Sequence, residues 1–207
     1  MDETYRLNAV VFGRESIKEN DLLVDMFTEE HGRLKLVARG AKKFKSKIAA
    51  HVEPFCLVEA MAIRGRREDY LGSCLSAEVF ACIKSDLKRL KMASEAIILL
   101  KGLVREREPI PGLFKALIEY LTYLNTASFE PAKFQADLFV VHVYKLLGQL
   151  NALTVSQNCH NLFRILDGSF YQILAKKVSN RAKIAQEISQ LAQITRQPTR
   201  KGACDEF

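Results

Sequence analysis

Seven positively charged side chains fall within a short stretch of the chain that holds no carboxylate. They are Arg33, Lys35, Arg39, Lys42, Lys43, Lys45 and Lys47, and the nearest acids along the chain are Glu30 and Glu53. Cations this close repel one another in water, and a polyanion that neutralises them releases its own condensed counterions. The spacing therefore predicts a phosphate-binding surface. Phe44 lies within this run, where its ring would either stack on a base or anchor the loop to the protein.

A second group of arginines lies further along, in Arg64-Gly65-Arg66-Arg67. Arg66 and Arg67 are secondary candidates for the same phosphate contact. Glu68 and Asp69 follow directly and cancel part of the charge. A solvated hairpin tip is therefore an equally good interpretation of this group.

Residue patterns for catalysis are missing. We find no phosphate-binding glycine loop, no Gly-x-Ser-x-Gly, and no His-x-x-x-His, and Cys159-His160 are merely adjacent. The five cysteines are irregularly spaced, as expected for reduced thiols in a cytoplasm. No basic head precedes a long apolar run, and no run reaches the roughly 20 apolar residues of a membrane span. We therefore expect that the protein is not an enzyme, that it binds no cofactor or metal, and that it has no membrane partner.

The elements that must position the cations are short strands. Their predicted bounds are Arg6–Phe12, Leu22–Thr28, Leu34–Ala38, Phe55–Ile63 and Tyr70–Val79. Gly32 can adopt the positive φ that a tight hairpin turn needs. Five short strands in this length suggest a small closed barrel, and both an OB-fold and an SH3-like barrel fit the count.

Beyond about Asp86 the apolar residues recur at helical spacing. This spacing predicts five helices. The first runs from Asp86 to about Val104, and the others are Leu113–Leu124, Ala132–Leu150, Leu162–Val178 and Ala182–Ile194. The predicted fold class is α+β, with a five-stranded barrel domain at residues 1–80, an all-α domain at 81–197 and a flexible tail at 198–207. The net charge of +7 arises wholly after residue 80, because acids and bases balance before it.

Four spaced segments carry a family resemblance. They are Glu19 to Gly32, Val37 to Ala41, Lys45-Ser46-Lys47 and Glu53-Pro54-Phe55. Together they resemble the N-terminal half of the RecO family of bacterial recombination mediators. The match is densest over residues 5–80, and from 81 to about 150 it is one of pattern.

The resemblance implies an OB-fold and a function in DNA repair. A member of this family would bind single- and double-stranded DNA and promote strand annealing. With RecR it would help load RecA onto gaps coated by single-strand DNA-binding protein, whose acidic tail it would contact, in the cytoplasm at the nucleoid. In the OB-fold, strands 2 and 3 and the flanking loops form the usual oligonucleotide face.

The chain departs from the family in one respect. Many relatives carry a four-cysteine zinc site towards the C-terminus, which needs Cys-x-x-Cys pairs that this chain lacks. We therefore expect no zinc. Two other functions remain open: a protein-interaction adaptor that uses the helical domain, with incidental nucleic-acid contact, and an RNA-binding OB module.

Overall fold

A computed structural model describes residues 3–126 and 133–148. The predicted helices Leu162–Val178 and Ala182–Ile194 and the predicted tail at 198–207 lie outside these residues, as do Cys159 and Cys204.

Four antiparallel strand pairings and one parallel pairing, between β3 and β5, close the N-terminal segment into a barrel. The strand order is β1-β2-β3-β5-β4. The strands are β1 (Thr4–Ser16), β2 (Leu22–Thr28), β3 (Gly32–Ala38), β4 (Leu57–Ile63) and β5 (Asp69–Glu78). All five predicted strands are confirmed, and β1 is longer than expected. Its register shifts between Val11 and Gly13, and such a bulge bends a strand so that it can pair on both sides of a small barrel. The order and the closure are those of an OB-fold.

The β2–β3 hairpin turns where the sequence predicted. Gly32 has φ +65°, and the turn is also held by Thr28, whose Oγ1 donates to the Gly32 carbonyl at 2.9 Å and accepts from the His31 N–H at 3.0 Å. The Thr28 hydroxyl at the end of the strand thus adds two side-chain hydrogen bonds that close the turn.

Parts of β1, β2 and β3 are buried on both faces of the sheet. Their inward side chains fill the barrel, for example Leu7, Val24 and Leu36, while the outward Phe12 and Phe27 are also buried. Phe27 stacks on Phe12 with ring centroids 5.5 Å apart and meets Phe114 of a helix at 6.2 Å. This explains the uninterrupted apolar run around Val10 to Phe12, because a strand covered by helices has no solvent face to make polar.

Four helices follow in the described residues: α1 (Ala81–Ser85), α2 (Leu87–Leu103), α3 (Leu113–Thr126) and α4 (Lys133–Leu146). The predictions for α2, α3 and α4 are confirmed in position, and α1 was not expected. Asp86 caps α2 by accepting hydrogen bonds from the N–H groups of Lys88 and Arg89. Between α2 and α3, Pro109 and Pro111 keep the chain out of a helix.

The chain divides into two compact units, one of Met1–Pro131 and one that starts at Ala132. The barrel and helices α1 to α3 belong to the first unit, whereas α4 belongs to the second. The domain boundary at residue 80 stays a prediction. Among the described residues, no helix has the length and apolarity that a membrane span requires.

Candidate nucleic-acid interface

The basic loop, residues 39–47, leaves the end of β3 and is fixed at its base. Ala41 is fully buried in the barrel core. The Gly40 N–H donates to the Asp21 carboxylate at 2.8 Å, and the Lys42 N–H donates to the Asn20 carbonyl at 3.0 Å. Beyond that base the loop makes two turns, in which the Lys43 N–H donates to the Gly40 carbonyl and the Ser46 N–H donates to the Lys43 carbonyl. The loop is therefore anchored to the β1–β2 connection and projects from it.

Four lysines of this loop point into solvent. Lys42, Lys43, Lys45 and Lys47 are all exposed, and within the described part of the chain none of them forms an ion pair with a carboxylate. Phe44 lies among them with its side chain completely exposed, at 104% of its reference area. The hypothesis that Phe44 plugs the loop onto the barrel is therefore wrong, because the ring has no apolar surface beneath it. Because the Phe44 ring is fully exposed, a nucleic-acid base could stack on it.

Arg39 is held by an aromatic ring. Its guanidinium carbon lies 3.8 Å from the centre of the Tyr70 ring on β5, a cation–π contact. β5 reaches this position because it pairs in parallel with β3 at Leu36 and Val37. The side chain keeps its donors on an exposed surface while its orientation is restricted.

Arg33 lies in a different environment from the loop lysines. Its guanidinium donates to both carboxylate oxygens of Asp25, at 2.9 and 3.0 Å, and to the Lys101 carbonyl at 3.0 Å. The side chain is only 15% exposed. Lys101 also reaches Asp25, at 3.0 Å. These contacts join α2 to the outer face of β2 and β3, and they leave Arg33 little capacity for a phosphate.

Lys35 is also paired, with Glu106 of the segment between α2 and α3. That pair is exposed, unlike the pair of Arg33 and Asp25. The outer face of β2 and β3, where an OB-fold commonly holds an oligonucleotide, thus carries this protein's own α2 end and the following segment. A cleft of 340 Å³ remains beside them, lined by residues that include Arg14, Lys35 and Lys101.

A buried carboxylate secures the same segment to β5. Asp69, with a side chain 4% exposed, accepts from the Arg107 guanidinium at 2.9 Å and from the Tyr5 hydroxyl at 2.6 Å. Burial alone would raise the pKa of Asp69, but the hydrogen bonds from Tyr5 and Arg107 outweigh it and lower that pKa below its ordinary value. Burial, together with the bond to Asp69, raises the pKa of Tyr5 to about 12, so the phenol stays protonated as a donor.

Arg66 and Arg67 lie exposed in the β4–β5 turn. The parallel pairing of Leu36 with Asp69 places this turn beside β3 on its Lys35 side, whereas the basic loop leaves the other end of β3. Their neighbour Arg64 is paired with Glu3 at 2.7 Å. The two arginines thus flank β3 rather than extend the basic loop.

The described residues contain no group of three or more His, Cys, Asp or Glu side chains that could hold a metal ion. Cys56, Cys74 and Cys82 are free thiols. Burial raises the pKa of the Cys74 thiol to about 11, which makes it a poor nucleophile at neutral pH.

Sequence reasoning did not identify three residues that shape this surface. Tyr70 supports Arg39, Lys101 faces Asp25, and Glu106 neutralises Lys35. Each lies more than 30 positions along the chain from the residue it contacts, and no local pattern signals such a pairing.

Comparison with known proteins agrees with the fold. The family model of the N-terminal part of recombination protein O matches residues 1–83, and that of its C-terminal part matches residues 84–194. The second match alone covers more than half of the chain.

Similar curated proteins carry the name DNA repair protein RecO. The protein of Desulforamulus reducens is 35% identical over 126 residues, which are 61% of this chain and 49% of the relative. That of Pelotomaculum thermopropionicum is 30% identical over 155 residues, 75% of this chain and 59% of the relative. That of Myxococcus xanthus is 35% identical over 136 residues, 65% of this chain and 55% of the relative. The chain thus spans about half the length of these relatives, and with both family models matched it belongs to the RecO family.

Proposed function

We propose that this protein binds single- and double-stranded DNA through the basic loop and acts as a mediator of DNA repair and recombination. The observation that carries the proposal is the set of four exposed, unpaired lysines around an exposed Phe44. Arg39 continues this surface onto the barrel. Family membership supports DNA as the polyanion.

The chemistry of such a surface is electrostatic. Lysines that contact the phosphates of two strands at once lower the repulsion between the strands, so that complementary bases can begin to pair. Lysine is a flexible point charge that reads no base edge, and stacking on Phe44 tolerates every base. We therefore expect strand annealing with little sequence preference and no catalytic step.

The finer parts of the proposal rest on the family alone. They are joint action with RecR, contact with the acidic tail of single-strand DNA-binding protein, and the loading of RecA at gaps. A protein with these partners would work at the nucleoid in the cytoplasm.

A salt series of fluorescence anisotropy with a labelled single-stranded oligomer tests the proposal. Neutralising the four loop lysines together (K42A/K43A/K45A/K47A) should make the slope of log affinity against log salt shallower by about 3, because each phosphate contact on a single strand contributes about 0.7. The matched control is K91A/K115A, which removes exposed lysines from α2 and α3. Equal slopes for the wild type and the quadruple variant would refute the loop as the interface.

A second candidate is a protein-interaction adaptor. Leu87 and Ile98 on α2 are 82% and 68% exposed, which is unusual for large apolar side chains of a helix. Binding of an acidic peptide that is lost in L87A/I98A but retained in the quadruple lysine variant would favour this function. Competition between DNA and RNA oligomers of equal length would reveal an RNA preference.

A further inference from the structure

The segment that joins α2 to α3 lies along an otherwise unpaired part of β3. β3 pairs with β5 only at Leu36 and Val37, so its first half has no strand on that side. Glu106 forms a parallel bridge with Arg33 there, and the Arg107 N–H donates to the Arg33 carbonyl at 2.9 Å. The backbone of this segment thus acts as a short extra strand.

Two further contacts hold the segment in place. Arg107 is anchored by the buried Asp69. On the other side, a Cβ added to Gly32 would lie 2.3 Å from the Glu108 carbonyl oxygen, which shows how closely the segment approaches the hairpin turn. The position of Glu106 is therefore set by its neighbours and does not depend on its own side chain.

The Glu106 carboxylate lies 2.5 Å from the Lys35 ammonium. The two side chains are 50% and 41% exposed, and ion pairs this exposed add little to stability. The fold therefore does not need the pair. Its effect on Lys35 is chemical, because a carboxylate at this distance occupies the position that a phosphate oxygen would take.

We propose that Glu106 is an internal competitor for DNA that limits the affinity of the phosphate-binding surface. In the free protein Glu106 neutralises Lys35, so the surface open to phosphate begins at Arg39 and continues into the basic loop. Phosphate reaches Lys35 only by displacing Glu106. The inference rests on the proposed DNA binding and adds an affinity-limiting residue to the same interface.

The variant E106Q tests this, with E108Q as the matched control. Glu108 is an exposed carboxylate two residues along the same segment, and it forms no ion pair with any residue that the structure describes. E106Q should bind a single-stranded oligomer more tightly than the wild type does. This advantage should shrink about 2.6-fold between about 50 and 200 mM salt, because one added phosphate contact steepens the slope by about 0.7. E108Q should bind like the wild type, and in a K35A background E106Q should produce no gain.

Three results would overturn the inference: no gain in E106Q, an equal gain in E108Q, or a gain that persists without Lys35. Acylation of Lys35 by an amine-reactive reagent, measured by mass spectrometry without DNA, supplies an independent readout. It should be faster in E106Q than in the wild type, and equal rates would refute the masking of Lys35. Failure of the proposed function has a different signature, since the quadruple loop variant would then bind DNA as the wild type does.

Discussion

Side chains of the basic loop differ from the strand cations in what surrounds them. The loop lysines and Phe44 are exposed to solvent, whereas Arg33 donates to both oxygens of the mostly buried Asp25 carboxylate and to a backbone carbonyl. A guanidinium with its donors already satisfied gains little by moving to a phosphate. The charge count therefore exceeds the number of cations that are free to contact a phosphate, because Arg33 is already paired while the loop lysines are exposed.

The exposed ring of Phe44 leads to one prediction. F44A should lower affinity for single-stranded DNA by about 5- to 150-fold, the equivalent of about 1–3 kcal/mol for one stacked base, and leave the melting temperature unchanged. F44W should restore binding, because the indole also offers a π-face. The control is L87A, which removes another largely exposed apolar side chain, from α2. An F44A variant that binds like the wild type would exclude stacking.

Asp69 gives a prediction about acid stability. D69N should destabilise the fold by about 2–4 kcal/mol at pH 7, since it weakens the bonds from Tyr5 and Arg107 to a buried group. The folded-state pKa of Asp69 is lowered, so its contribution is fully present above about pH 4, the unfolded value, and is lost as the pH falls through the folded value. Urea titrations at pH 7 and below about pH 4 should therefore show that the difference in unfolding free energy between D69N and the wild type becomes smaller in acid.

The exposed carboxylate of Glu59 is a control for this experiment, and E59Q should be as stable as the wild type at pH 7. A D69N deficit that is the same at neutral and acid pH would show that the loss is one of packing and not of charge.

At the scale of elements, the β2–β3 hairpin is in contact with the segment that follows α2, and the basic loop leaves its second strand. The segment packs against the hairpin turn at Gly32. This residue has φ +65°, and the Glu108 carbonyl oxygen lies 2.3 Å from the position that a Cβ would take. The turn is therefore tied to a segment more than 70 positions away in the chain.

G32A should cost at least about 1–2 kcal/mol of unfolding free energy from the left-handed backbone alone, with more from the clash. G102A is a glycine control of opposite sign. Gly102 lies in α2 with nothing within 4 Å of an added Cβ, so alanine there should stabilise by up to about 1 kcal/mol. Urea unfolding of both variants measures the difference, and a G32A variant as stable as the wild type would contradict the close approach.

For the whole molecule, the barrel and its first three helices form one unit. Phe27 contacts Phe114, Asp25 pairs with Lys101, and Asp69 pairs with Arg107. In each of these three pairs, the partner of the strand residue lies beyond position 100. Without the helices the outward face of β1 and β2 would expose Phe12 and Phe27 to water. Stability is thus shared between the predicted domains.

This sharing predicts how fragments behave. A fragment of residues 1–131 should unfold in one cooperative transition and show the salt-dependent DNA binding that we propose for the basic loop. A fragment of residues 1–80 should unfold at much lower urea and bind a hydrophobic dye, because its apolar outer face is uncovered. If the shorter fragment unfolds at the same urea concentration as the longer one, then the boundary at residue 80 separates independent domains.

Sequence alone determined the elements and the location of charge. Strand alternation, helical periodicity and the turn glycine are local signals, so all five strands and helices α2 to α4 could be predicted within a few residues. The carboxylate-free basic run and the spaced motifs from Glu19 to Phe55 were equally local, and they were enough to recognise the family. Barrel type stayed open, since strand count does not specify strand order.

Tertiary structure decided which cations are available. Arg33 and Lys35 belong to the same sequence run as Lys42 and Lys45, yet the fold brings Asp25 and Glu106 to the first two and leaves the other two in water. The reason is physical: a charge is neutralised by whatever lies within a few ångströms in space, and the chain brings those partners from distant positions. The pattern of charges predicted a phosphate-binding surface, and the packing of the α2 end and the segment after it against the barrel decides which of these cations stay unpaired.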